Sequence, residues 1–105
     1  MRAGPLRHRV EFQRSTETRA ADGGVIRSWN TYARRFASID ALSGREFHEA
    51  GQTQARVTHR IVTRHIDGVT TGHRIIFGTR TFDVEHARNV RERDEQTELM
   101  VREDV

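Results

Sequence analysis

The sequence of 105 residues contains no cysteine and no lysine. The first absence excludes a disulfide framework and every cysteine-based zinc site. The second means that all 18 cations are arginine, the side chain best shaped for bidentate contact with carboxylate or phosphate. Aromatic residues are scarce at 7%, so a dedicated base-stacking surface is not provided for. No apolar run approaches the roughly 18–20 residues of a membrane span, and no signal-type apolar segment opens the chain. A soluble protein without export is therefore expected.

Hydrophobic residues make up only 34% and charged residues 31%. At this length the chain is expected to form one domain, residues 1–105, with one modest core. So small a core beside so many charges points to surface that partners cover. The formal net charge of +3 comes from residues of mixed sign along the chain, with no basic tail.

Periodicity predicts an all-β protein. Arg7–Arg14 alternates, with Val10 and Phe12 on one side and Arg9, Glu11 and Gln13 on the other. Pro5 precedes it, where a missing N–H does least harm. Val25–Tyr32 and Arg34–Ala41 alternate too, and the chain either turns near Ala33 or runs on as one bent strand. Trp29, the only tryptophan, is expected in the core or as an interface anchor. Arg56–Ile66 is rich in Thr, Val and Ile, with Val57, His59, Ile61, Thr63 and His65 on one side. Neither side is fully apolar, which suits a barrel wall that faces a neighbouring subunit. Arg74–Phe77 and Thr81–His86 read as a hairpin around a loop of about three residues, Gly78-Thr79-Arg80. Asn89–Gln96 is a charged turn, and Thr97–Arg102 a closing strand with Leu99 and Val101 on one face. The sum is a small antiparallel β-barrel or sandwich of about six or seven strands.

Two stretches lack strand periodicity. Ser15–Gly24 reads as an exposed loop with a mobile tip, turned by Asp22-Gly23-Gly24. Ser43–Gln54 separates two central strands. Ser43-Gly44-Arg45-Glu46 fits a capping box, with Leu42 placed as a staple. Only Phe47 and Ala50 follow as an apolar pair, and Gly51 weakens the helix by roughly 1 kcal/mol. A short helix or a loop is expected there, too polar to be core.

Catalytic chemistry finds little footing. The six histidines show no HxH or HExxH spacing, and His59 and His65 lie about 20 Å apart along one strand face. No nucleophile motif or phosphate-cradling glycine loop is present. No enzyme activity, cofactor or metal is expected. Arginine faces can supply the salt-dependent phosphate contacts of non-specific DNA binding. A free Arg-rich β-barrel that binds nucleic acid is accordingly an alternative reading.

Six pieces carry a likeness to a known family: LRHRVEFQR (Leu6–Arg14), DGGVIRSW (Asp22–Trp29), FASIDALSGREFHEA (Phe36–Ala50), VTHRIVTRH (Val57–His65), RIIFGTRTFDVE (Arg74–Glu85) and ELMVRE (Glu98–Glu103). In this order and spacing the chain resembles the head–tail joining proteins (head-closure or stopper proteins) of long-tailed phages and related gene-transfer particles. It departs at Ala41, where the family often has proline, at His65, where an aromatic is frequent, and near Gly72-His73, where an Asp often stands.

The resemblance implies a ring, commonly of twelve subunits, between the portal-bound adaptor and the tail terminator or tail tube. It implies a place in the virion, assembly in the bacterial cytoplasm, non-specific contact with packaged double-stranded DNA and no membrane. The insert would project into the channel, with Arg45, His48, Gln52 and Gln54 as lumen-facing residues. The Ser15–Gly24 segment would meet the adaptor or tail through Thr16, Arg19 and Asp22. A lumen of mixed or acidic charge is expected, with the excess arginine at subunit contacts. Within the same structural class, a tail-terminator ring is the nearest alternative.

Overall fold

The computed structural model describes residues 6–42 and 57–104. Six strands account for most of them: β1 (His8–Arg19), β2 (Val25–Ala41), β3 (His59–Arg64), β4 (Arg74–Phe77), β5 (Arg80–Asn89) and β6 (Gln96–Asp104). All pairings are antiparallel, and the order β1-β2-β3-β6-β5-β4 closes on itself as a barrel. The only helical turn among the described residues is a 3-10 turn at Val90–Glu92.

The core follows from alternation. Val10 and Phe12 of β1, Ala37 of β2, Ile61 of β3, Ile75 of β4, Phe82 and Val84 of β5, and Leu99 and Val101 of β6 point inward and are buried. Each large side chain among them contributes roughly 1.5–3 kcal/mol by leaving water. Thr63 and Thr97 are the buried polar residues among those described, and both hydroxyls are used. Thr63 donates to the Arg64 carbonyl at 2.7 Å. Thr97 accepts from the Ile66 N–H at 3.1 Å and faces the Ile66 carbonyl at 3.4 Å.

Four local expectations resolve differently from, or more sharply than, the sequence reading. First, β2 does not turn near Ala33; it runs as one strand of 17 residues. Its pairing with β1 shifts register between Phe12 and Gln13, which leaves Tyr32 of β2 as the extra, bulged residue. Second, Ser15–Gly24 is not a long loop. Ser15 to Arg19 continue β1, paired with Trp29 to Val25, and only residues 20–24 turn. The stretch lacks apolar alternation because this part of the ribbon lies beyond the core and is largely exposed on both faces. Third, Trp29 is outside the buried core, half-buried on the outer face of β2. Fourth, Phe77 pairs with Arg80, so the β4–β5 hairpin turns in two residues, not three. Gly78 takes the first turn position with φ +61°, where a side chain would be strained. The capping-box stretch and the rest of the insert lie outside the described residues.

The result is a small barrel with one described extension, at the Val25 end of β2. The β1–β2 ribbon forms that extension, and Leu42 at the other end of β2 is hydrogen-bonded to Thr58. A strand of 17 residues at about 3.3 Å each spans on the order of 50 Å, which matches the long axis of 49 Å in a molecule 49 × 28 × 27 Å.

Candidate functional site

The ribbon is largely polar, with Ser15, Thr16 and Thr18 on β1 and Ser28 and Asn30 on β2, of which the threonines favour a strand. Its tip is fixed locally. Asp22 Oδ1 accepts the Gly24 N–H at 2.9 Å, and Ala20 N–H donates to the Gly24 carbonyl at 2.7 Å. Gly23 sits at φ +90°, a conformation that glycine adopts freely. Of the sequence-named contact residues, Arg19 lies opposite Val25 at the end of β1 and Asp22 lies in the turn. Thr16 faces Ser28 further down, and its hydroxyl accepts from Asn30 Nδ2 at 3.3 Å. All three are exposed on one projecting arm.

At the base of the arm the outer face carries a continuous polar chain. The Arg27 and Arg74 guanidinium carbons lie 4.7 and 4.1 Å from the centre of the Trp29 ring. Arg74 Nε donates to Gln13 Oε1 at 2.7 Å, Gln13 Nε2 to Thr31 Oγ1 at 3.0 Å, and Thr31 Oγ1 to Glu11 Oε1 at 3.1 Å. Glu11 in turn pairs with Arg34 at 3.6 Å. On the inner face, Tyr32 OH meets His73 Nδ1 at 2.9 Å, and Arg14 covers the Tyr32 ring at 4.9 Å. Burial raises the Tyr32 pKa, against a smaller opposing effect of Arg14. Burial first and Arg14 second push the His73 imidazole below its usual value. None of this network was legible in the sequence, because Arg74 and His73 come from a distant segment.

The other end of β2 carries the root of the insert. Leu42 N–H donates to the Thr58 carbonyl at 3.0 Å, and Thr58 N–H to the Val101 carbonyl at 2.9 Å. Thr58 Oγ1 accepts the Glu103 N–H at 2.8 Å. The ladder therefore persists up to both roots and holds them side by side. Beside them Arg80 grips Glu103 with two bonds of 2.9 and 3.0 Å, and His59 Nε2 lies 3.9 Å from Glu103. The Arg80 hydrogen bond holds the Glu103 carboxyl below its usual range. Burial, ahead of the opposing pull of Glu103, lowers the His59 pKa. Arg45, His48, Gln52 and Gln54 lie outside the described residues.

Three large apolar side chains are exposed among the described residues: Val25 (65%), Ile26 (53%) and Phe36 (57%). All three belong to β2. Phe36 lines an open groove of about 330 Å³ together with Leu6, Arg34, Arg35 and Arg64. The described residues contain no cluster of three or more side chains able to hold a metal ion. No helix among them is long and apolar enough to cross a membrane. Among the described residues, the exposed surfaces that stand out are the arm and the outer side of β2.

Comparison with known proteins gives a consistent picture. The profile of a family described as phage head completion protein matches residues 1–104. Protein SF1141 from Shigella flexneri 2a, known from a solution structure, shares the fold with a TM-score of 0.80 at 24% identity; the alignment covers 100% of this chain and 98% of that one. A chain in the virion of a native gene transfer agent particle superposes with a TM-score of 0.69 at 21% identity, over 95% of this chain and 96% of that one. No curated protein matches.

Proposed function

The chain belongs to the phage head completion protein family, and on that premise we propose that it is a stopper-type subunit of the head–tail connector. In this reading it is a structural protein of the virion, without catalytic turnover. Copies assemble as a ring, of twelve subunits by the resemblance, between the portal-bound adaptor and the tail terminator or tail tube. The ring continues the channel through which double-stranded DNA passes. The likeness to a chain of a gene transfer agent virion supports a place in such a particle.

The observation that supports the reading is that the β1–β2 arm and the root of the insert, Leu42 beside Thr58, lie at opposite ends of one 17-residue strand. A connector must engage a neighbour at one end and act on the channel elsewhere. The β1–β2 arm, with Thr16, Arg19 and Asp22, serves the first task and meets the adaptor or tail. The insert at residues 43–54, with Arg45, His48, Gln52 and Gln54, serves the second and faces the lumen. A ring needs a heterologous contact that closes. A barrel whose outer surface mixes arginine with carboxylates suits such contacts, because paired charges set register and partner choice.

The test is deletion. Residues 43–54 are replaced by a short turn and the variant is supplied to particles that lack the wild-type protein. Because Leu42 and Thr58 are already hydrogen-bonded across the roots, the barrel is expected to fold with an almost unchanged melting temperature. Heads are expected to fill and then lose DNA. Particles that hold their DNA and join tails normally would refute the channel role of the insert.

A further inference from the structure

We propose that the unpaired edge of β2 from Val25 to Phe36 is a docking site for an extended, acidic segment of another particle protein, with one apolar side chain seated in the Phe36 groove. Along this length β2 is paired on one side only, with β1; β3 joins its other side from Ala37 onward. Alternate residues of this twelve-residue length thus present backbone donors and acceptors along one edge, among the described residues, with the Arg34 carbonyl already accepting from Arg35 at 2.9 Å. Such an edge is a template for a further strand.

The side chains along the edge say what kind of strand it takes. The exposed large apolar residues of the described chain all lie here. Arginines alone would read as protection against unwanted pairing, but Val25, Ile26 and Phe36 invite contact. At the Phe36 end the groove is rimmed by Arg34, Arg35 and Arg64. Arg34 is engaged by Glu11. Arg35 donates to the Arg34 carbonyl, and neither Arg35 nor Arg64 has a carboxylate partner among the described residues. The nearby Asp67 and Asp94 are turned to His65, at 2.8 and 3.7 Å. Two guanidiniums without a carboxylate partner among the described residues, beside an exposed phenyl ring, complement a carboxylate next to an apolar anchor. Nucleic acid fits less well, since phosphates use neither a free strand edge nor an exposed Phe.

This deepens the connector reading and rests on it only for the source of the segment. Docking itself is tested on the isolated protein, so its failure is separable from failure of the channel role. A library of random peptides of about twelve residues, the length of the open edge, is panned on the immobilised protein. Enriched sequences are expected to alternate apolar residues with Asp or Glu. In fluorescence anisotropy, their binding should weaken at least about tenfold in R35E/R64E and in Phe36→Ser, all surface changes that leave the melting temperature in place. Alternate N-methylation of the peptide backbone should abolish binding, because it removes the edge hydrogen bonds. No enrichment, enrichment of basic peptides, or binding indifferent to these variants or to N-methylation overturns the proposal. So does a short DNA duplex that binds the wild type and not the variants, or sedimentation showing that the edge is filled by a second copy.

Discussion

At the scale of single residues, buried polar groups decide more than their number suggests. Thr97 is 4% exposed and its hydroxyl serves Ile66, whose backbone has just left β3. Thr97→Val keeps the shape and strands the Ile66 N–H. A loss of about 1–3 kcal/mol is expected in urea unfolding. An unchanged midpoint would mean that this bond contributes nothing net. His59 and His73 set the response to pH. Burial lowers both pKa values beneath the usual 6.5, helped at His73 by Arg14 and opposed at His59 by Glu103. The folded protein then resists protonation that the unfolded chain accepts. Their contribution is complete above about pH 6.5 and is lost as pH falls below it toward the folded pKa values. The urea midpoint should therefore decline between neutrality and pH 5, and H59Q/H73Q should flatten that slope. A slope unaltered in the double variant would place the titration elsewhere. Glu103 adds an acid limb of its own: its pKa is lowered, so its contribution holds above 4.5 and fades on further acidification.

At the scale of elements, the arm and the barrel have different supports. The barrel strands share a common core, whereas the arm is a two-stranded ribbon that is largely exposed. Isolated ribbons are marginal in water. What steadies this one is its base, where Trp29 lies between Arg27 and Arg74. A strained tip should therefore be felt locally. No atom lies within 4 Å of a Cβ added at Gly23, so Gly23→Ala meets no clash, but it must hold φ +90° at roughly 1–2 kcal/mol. Faster amide exchange at Ala20 and Gly24 is expected, with thermal melting of the barrel unchanged. A matching drop in the global melting temperature would show that arm and barrel unfold as one unit.

On the scale of the whole molecule, closure is the organising fact. Every strand has two neighbours somewhere along its length, and the free edges that survive lie where a strand outruns its partner. β2 outruns β3 by the twelve residues Val25–Phe36, and those residues hold the exposed apolar side chains. In the docking proposal, unequal strand lengths alone generate the surface that a partner strand would use. This fits a chain with only 34% hydrophobic residues: among the described residues, the large apolar side chains left exposed lie on this length of β2.

Local pattern was enough for the barrel strands. Each has one face in the core, so Val10 and Phe12, or Leu99 and Val101, stand in period two and reveal the strand. Turn chemistry at Asp22-Gly23-Gly24 and at Gly78 was equally local. Family likeness, carried by the order and spacing of six pieces, supplied the head–tail structural role. The tertiary structure alone decided what depends on distant segments. Ser15 to Arg19 are strand because β2 pairs with them, and a ribbon solvated on both faces has no apolar period to read. Trp29 faces outward because Arg74, 45 positions away in the chain, is brought over its ring. The open edge of β2 exists only because β3 stops pairing at Ala37, a relation between strands that no single stretch of sequence contains.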